Sequence, residues 1–106
     1  MTRILYEPGD FHMRIEGHSG YAPAGEDLVC AVESALSFTL AAAATEEAAY
    51  RSEVQINEGR ALVDVRCSPE EEARSRCRYM FDIIARGFEL LAADFAQYVS
   101  FEQSGE

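Results

Sequence analysis

The chain has 106 residues, of which 48% are hydrophobic, and nineteen acidic side chains against nine basic ones give a net charge of −10. This length predicts one small domain, and the acidic charge disfavours direct nucleic-acid binding because it repels phosphate backbones. No run of about twenty apolar residues predicts a membrane span, and residues 1–10 lack a secretory signal pattern, so we expect a cytoplasmic protein.

The first predicted elements are two strands, residues 3–6 and 11–15, joined by a type II turn with Pro8 and Gly9 at its centre. Alternation in the second strand places three apolar side chains on one face, namely Phe11, Met13 and Ile15. His12 falls on the opposite face, which we expect to point to solvent.

A loop over residues 21–25, marked by Pro23 and Gly25, precedes a helix predicted over residues 26–44. Glu26 and Asp27 fall in its first turn, where acids complement the helix dipole. Residues at three- and four-residue steps predict its buried stripe: Leu28, Val32, Ala35, Leu36, Thr39, Leu40 and Ala43. Cys30 lies off this stripe.

The second half predicts a hairpin, a helix and a last strand. Strands at residues 52–56 and 61–67 flank a turn at residues 57–59, with Cys67 on the apolar face. Ser68, Pro69 and Glu71 predict a capped helix start, and the helix ends near residue 93. Its apolar stripe includes Cys77, and residues 98–102 form the last strand, with Val99 and Phe101 pointing inward.

The resulting order is ββαββαβ, with two amphipathic helices and strands that each have one polar face. We expect a single α/β domain over residues 1–106, folded as a small two-layer sandwich with a mixed sheet and both helices on one face. The three cysteines, an odd number, occur without a CxxC motif, which disfavours a disulfide framework. The spacing of cysteine and histidine fits no zinc template, so no metal site is predicted.

Cys30 and His18 are the candidate catalytic residues. A thiol near a helix N-terminus has a lowered pKa, and a histidine in the preceding glycine-containing loop can remove its proton. The alternative is an ordinary buried cysteine, the commoner state of a free cysteine. Asp27 could serve the helix dipole or orient His18, and Ser34 could bond the sulfur or the carbonyl of Cys30.

The segment around both residues resembles a known family. It reads Gly17-His18-Ser19-Gly20-Tyr21, then Gly25, then Asp27-Leu28-Val29-Cys30-Ala31 and Ser34-Ala35-Leu36. This resembles the ribosomal-processing cysteine protease (Prp) family, whose members carry Gly-His-Ala-Gly-Tyr, Gly-x-Asp-Ile-Val-Cys-Ala and Ser-Ala-Leu. The resemblance extends over essentially the whole chain. The departures are few: Ser19 and Val32 replace alanines, Glu33 replaces an apolar residue, and Ala96 replaces a proline.

The resemblance implies a homodimeric bacterial cysteine endopeptidase. Its members remove the N-terminal extension, ending in aromatic residues, of a basic large-subunit ribosomal protein, L twenty-seven, during ribosome assembly. By position, His18 would be the base and Cys30 the nucleophile, without a metal or cofactor. The loop from Ser19 to Gly25, including Gly20 and Tyr21, would close over the peptide.

Two other classes of function remain as alternatives. The first is a dimeric binding module that acts in ribosome assembly without cleaving a peptide, which would leave the pairing of His18 with Cys30 unexplained. The second is a thiol redox protein, which the absence of an adjacent resolving cysteine disfavours.

Overall fold

The structure is a computed structural model that describes residues 1–23 and 25–105. Its strands and helices follow the predicted order ββαββαβ. They are β1 (Thr2–Glu7), β2 (His12–Glu16), α1 (Leu28–Glu46), β3 (Ser52–Asn57), β4 (Leu62–Cys67), α2 (Arg74–Asp94) and β5 (Val99–Gln103). Short 3₁₀ turns lie between several of them.

The five strands form one mixed sheet, as predicted, in the order β3-β4-β2-β1-β5. Only the β1–β5 pair is parallel. The register sets apolar side chains side by side on one face, with Ile4 opposite Ile15 and Met13 opposite Val65. Both helices pack on this face, where their apolar side chains and those of the strands share one core. The two-layer sandwich is therefore confirmed.

The two helices run antiparallel and lie close together. Glu47, just beyond α1, forms an ion pair with Arg76 near the start of α2. Near the other end, Leu36 packs over Gly87, where an added Cβ would lie 3.0 Å from a Leu36 methyl carbon. Gly87 therefore permits the close approach of the helices.

The predicted buried stripe of α1 is wrong at most of its positions, although Leu40 is buried and Leu36 packs partly buried against the core, as expected. Leu28 is 70% exposed and Val32 is also exposed, whereas the buried side chains are Val29, Glu33, Ser37, Leu40, Ala41 and Ala44. Apolar residues surround this alanine-rich helix on all sides, so their spacing does not single out a face. The helix also begins at Leu28 and not at residue 26, because Asp27 is its N-cap.

Among the described residues, α1 is the one helix long and apolar enough to cross a membrane by length and composition alone. A core helix passes the same test. Here Val29, Leu40 and Ala44 are buried in the core that α1 shares with the sheet. These contacts assign α1 to the fold of the domain.

The turns differ from the predicted types. A 3₁₀ turn over Pro8–Asp10, followed by Phe11 at φ 49°, replaces the expected type II turn. Ser68 does not cap α2, which begins at Arg74 after a 3₁₀ turn over Glu71–Ala73. Ser68 lies several residues before the helix, where its backbone N–H donates to Tyr50 O at 3.1 Å.

The apolar face of α2 is confirmed. Cys77, Phe81 and Phe88 are buried on it, and Cys67 is buried on β4. Burial, together with the nearby Cys77 thiol, raises the pKa of Cys67 to about 12, and burial also raises the pKa of Cys77. Both thiols are therefore inert core residues at neutral pH.

The prediction that His12 points to solvent is wrong. The residue is only 6% exposed, with Nδ1 2.6 Å from Glu7 Oε1 and Nε2 3.0 Å from Asp64 Oδ1. His12 does lie on the polar face of β2, but this central strand has β1 and β4 on either side, and their carboxylates cover the imidazole.

We expect His12→Ala to lower the free energy of unfolding by about 1–3 kcal/mol, because it removes a hydrogen-bonding partner from two partly buried carboxylates. Urea denaturation measures the change. His18→Ala is the matched control, since His18 is exposed and its loss should change stability by less than about 0.5 kcal/mol. Equal losses for the two variants would contradict a structural role for His12.

Candidate active site

The site begins where the chain leaves β2 at Gly17. This residue has φ +105°, and an added Cβ would lie 2.7 Å from the carbonyl oxygen of Met1. Its N–H donates to Ala61 O at 3.1 Å. Glycine is required here because both the backbone conformation and the close approach to Met1 exclude a side chain. His18 follows, exposed at the start of the loop.

Asp27 joins this loop to the start of α1. Its Oδ1 accepts the backbone N–H of Cys30 at 2.9 Å, which is the N-cap bond of the helix. Its Oδ2 accepts the hydroxyl of Ser19 at 2.5 Å and the backbone N–H groups of Tyr21 and Ala22 at 3.2 and 3.4 Å. One carboxylate therefore fixes the helix start and the loop together.

These donors also hold Asp27 ionised. Partial burial acts to raise its pKa, but the hydrogen bonds from Ser19 and from Cys30 outweigh it and lower the pKa to about 2. Asp27 thus carries a full negative charge at neutral pH. Among the described residues it has no hydrogen bond to His18, so the structure gives it the capping role.

Cys30 is half-buried in the first turn of α1, and its Sγ lies 3.4 Å from Ser19 Oγ. His18 and Cys30 line the same cavity, but no hydrogen bond joins them within the described part of the chain. Ser34 is exposed on the cavity wall, and neither of the hydrogen bonds that we considered for it is formed within residues 1–23 and 25–105.

The cavity is an open groove of about 670 Å³. One wall is α1, with Cys30, Ser34 and Phe38, and the opposite wall is the β3–β4 hairpin, with Ile56. Phe38 and Ile56 are both about half exposed. Apolar walls beside a thiol suit a peptide whose side chains are apolar near the reacting bond.

Sequence reasoning missed the surroundings of Glu33. This carboxyl is 5% exposed on the buried side of α1, and its Oε1 accepts the hydroxyl of Thr2 at 2.9 Å. Burial is the main cause that raises its pKa to about 7. The one available signal was that Glu33 departs from the family pattern beside Cys30.

The aromatic ring of Tyr21 anchors the first part of the loop. It packs edge-on against Phe95 and Tyr98, with ring centroids 5.6 and 5.3 Å apart. Its backbone N–H is bound by Asp27. Gly20 and Gly25 have φ values of +75° and +88°, with no atom near an added Cβ, so backbone conformation and not crowding favours glycine there.

Among the described residues, no group of three or more histidine, cysteine, aspartate or glutamate side chains is arranged to hold a metal ion.

The model of the cysteine protease Prp family matches residues 5–100. The chain belongs to this family. It is a cysteine protease by that membership, and the resemblance drawn from the motif around His18 and Cys30 is confirmed. No curated protein matches the chain in sequence.

Solved structures share the fold over almost the entire chain. The S. aureus ribosomal processing protease Prp with a covalently linked product peptide has a TM-score of 0.85 at 14% identity, covering 98% of this chain and 100% of that one. The same protease with a substrate peptide gives 0.78 at 13% identity with the same coverage. A Streptococcus mutans protein gives 0.74 at 21% identity, covering 99% of this chain and 93% of its own.

We expect Asp27→Ala to lower the free energy of unfolding by about 1 kcal/mol through loss of the N-cap. Asp27→Asn tests the charge. Because the folded pKa is about 2 and the ordinary value 3.8, the stabilisation is complete above pH 4 and is lost as pH falls towards 2. Urea denaturation across this range should show the difference between wild type and Asp27→Asn shrinking, and a constant difference would contradict the assignment. The exposed neighbour Glu26, changed to Gln, is the control.

Proposed function

We propose that this cysteine protease is an endopeptidase that processes a ribosomal protein, with Cys30 as nucleophile and His18 as base. The observation that supports this most directly is the position of the Cys30 thiol. It lies at the N-terminal turn of a helix and lines an open, partly apolar groove together with an imidazole. Cys67 and Cys77 are both buried in the core, so Cys30 is the one thiol that a peptide can reach.

In the proposed reaction, His18 takes the proton of Cys30 and the thiolate attacks the carbonyl carbon of the scissile peptide bond. The C–N bond breaks as the His18 imidazolium gives its proton to the leaving amine. Water then attacks the thioester, releases the new carboxyl terminus and restores the thiol. The proposed reaction uses only Cys30, His18, water and the peptide, and it includes no metal or organic cofactor.

The proposed dyad requires the loop to move. His18 is exposed and shares the groove with Cys30 without a hydrogen bond to it, as is common when no substrate is bound. Asp27 and the ring of Tyr21 fix the loop near residues 19–22. We therefore propose that closure over the peptide moves His18 and Gly25, on either side of these fixed points.

We propose as substrate the N-terminal extension of the bacterial large-subunit ribosomal protein L twenty-seven. The exposed apolar side chains of Phe38 and Ile56 in the groove suit the aromatic residues at the end of such an extension. The net charge of −10 attracts a basic ribosomal protein and speeds the encounter. The reaction would take place in the cytoplasm, without nucleic acid or membrane.

We expect Cys30→Ala to abolish cleavage of a synthetic extension peptide, because no other accessible thiol remains, and His18→Ala to reduce kcat/KM by about 10²-fold or more through loss of the proton acceptor. Mass spectrometry of the two fragments measures both. The melting temperature should be nearly unchanged, since neither side chain is part of the core. Full cleavage by Cys30→Ala would contradict the proposal, and peptide binding without any cleavage by the wild type would favour the non-catalytic binding module.

We further propose a homodimer formed through the outer surface of the two helices. Large apolar side chains are exposed there, on α1 at Leu28 and Val32 and on α2 at Ile83 and Leu90. Exposed apolar surface of this kind is typical of an interface, and family membership makes a second copy the partner.

Sedimentation should give twice the chain mass for the wild type and the chain mass for Ile83→Glu, because the charge would be buried in the interface. Glu89→Gln, an exposed change on the same helix, should leave the dimer intact. A monomeric wild type would contradict the dimer, and a dimeric Ile83→Glu would contradict this surface.

A further inference from the structure

Glu33 lies one helical turn after Cys30, and its carboxyl is only half satisfied. Oε1 accepts the Thr2 hydroxyl, whereas Oε2 is buried and has no hydrogen-bond partner among the described residues. An ionised carboxylate with a buried, unpaired oxygen is strongly destabilising. Native structures keep few such groups, and each calls for a physical explanation.

The charges and polar groups around Glu33 come from four parts of the fold. Thr2 and the N-terminal amine of Met1 act on it from the start of β1, Asp27 from the loop and Cys30 from its own helix, and His18 lines the same groove. Burial raises its pKa to about 7, and the charge of Asp27 acts in the same direction. Thr2, Cys30 and the N-terminus act against this rise. A large fraction of Glu33 is therefore protonated at neutral pH.

Ser19, which contacts the Cys30 sulfur, has no free proton with which to stabilise a thiolate. The Ser19 hydroxyl donates to Asp27 Oδ2 at 2.5 Å, so its proton is already engaged. In the hydrogen bond of 3.4 Å between Ser19 Oγ and Cys30 Sγ, the thiol is therefore the donor and the hydroxyl oxygen the acceptor. When Cys30 loses its proton, Ser19 presents a lone pair to the thiolate and not a donor. The thiolate consequently lacks stabilisation from this side.

We propose that Glu33 is a positioning residue for the nucleophile: as a neutral acid it turns its Oε2 proton, which has no partner in the described part of the chain, to the Cys30 sulfur, and once ionised it suppresses the thiolate. The inference rests on the proposed role of Cys30 as nucleophile. The Cys30 proton still passes to His18, and the proton on Oε2 is shared with the sulfur without being transferred. Because both groups titrate in one site, each changes the titration of the other.

The fully buried state of Oε2 separates this role from substrate recognition. Its accessible surface is negligible, so a substrate side chain cannot contact it without a rearrangement of the helix. The Cys30 thiol lines the groove, and the pKa of Glu33 already responds to it. Glu33 therefore acts through Cys30.

The test measures the rate of alkylation of Cys30 by iodoacetamide as a function of pH, read from the mass of the Cys30 peptide. Glu33→Gln keeps an acceptor for Thr2 and places a neutral donor at the position of Oε2. We expect the midpoint of thiolate formation to fall by about one pH unit, with alkylation about tenfold faster below the midpoint. Glu26→Gln removes the same charge from an exposed position and should shift the midpoint far less.

Glu33→Leu distinguishes donation from charge, because it removes both the donor and the carboxylate. Its midpoint should lie above that of Glu33→Gln. Equal midpoints for the two variants would contradict the hydrogen bond, and an unchanged or raised midpoint for Glu33→Gln would overturn the whole inference. Should Glu33→Gln fail to fold, carboxyl NMR of the wild type decides: the Glu33 titration must shift when Cys30 is alkylated, and a carboxyl ionised at all pH values overturns the inference.

Alkylation does not depend on cleavage, so the two proposals can fail separately. A shifted midpoint with no peptide cleavage by the wild type would contradict the protease role of Cys30 alone. Cleavage whose pH profile is the same in wild type and Glu33→Gln, with unchanged alkylation, would contradict the role of Glu33 alone.

Discussion

The carboxylate of Asp27 is the interaction on which the site depends. It binds the first turn of α1 and the loop after β2 through four donors, so neither can shift without the other. The N–H that it accepts at the helix start belongs to Cys30 itself. The cap bond therefore positions the proposed nucleophile directly, and the same residue holds Ser19 against the sulfur.

A permanent negative charge beside a thiol opposes the formation of a thiolate, and the structure limits this effect. Several hydrogen bonds spread the charge of Asp27 over donors, which weakens its field at the sulfur compared with a bare carboxylate. The N-terminal end of α1 contributes partial positive charge at the same place.

The parts of the fold that the sequence predicts well are those in which one periodic pattern dominates. Strand alternation at Met13 and Ile15 and the spacing of Phe81 and Phe88 on α2 specify the buried faces without ambiguity. The mixed sheet followed from these faces and from the order of the elements along the chain, whereas the order of the strands within the sheet comes from the structure. The segment around His18 and Cys30 identified the family, because its residue types and spacing are specific.

The failures have a common cause, which is that polarity alone does not report burial. His12 was placed at the surface because it alternates with apolar residues, yet carboxylates from the flanking strands cover it. Glu33 and Ser37 were excluded from the core of α1 because they are polar. Ser37 is satisfied by its own helix, donating to Glu33 O at 2.7 Å, whereas one oxygen of Glu33 is bonded by Thr2 from another element. The partner of Ser37 lies four residues away and can be predicted from the local sequence, whereas the partner of Glu33 lies 31 residues away and cannot.

The observed orientation of α1 buries the carboxyl of Glu33 and leaves Leu28 and Val32 exposed, which is less stabilising than burying the apolar side chains would be. Turning the helix to bury Leu28 and Val32 would remove apolar surface from water and return the Glu33 carboxyl to solvent. That rotation would also take the Cys30 N–H from Asp27 and the sulfur from the groove. Leu40 and Ala44 hold the far end of the helix in the core, and Asp27 holds the near end. Local rules are broken in this way mainly where function requires it. Both departures on α1 fit that rule, since one places a carboxyl near the thiol and the other leaves the apolar surface that we propose as the dimer interface.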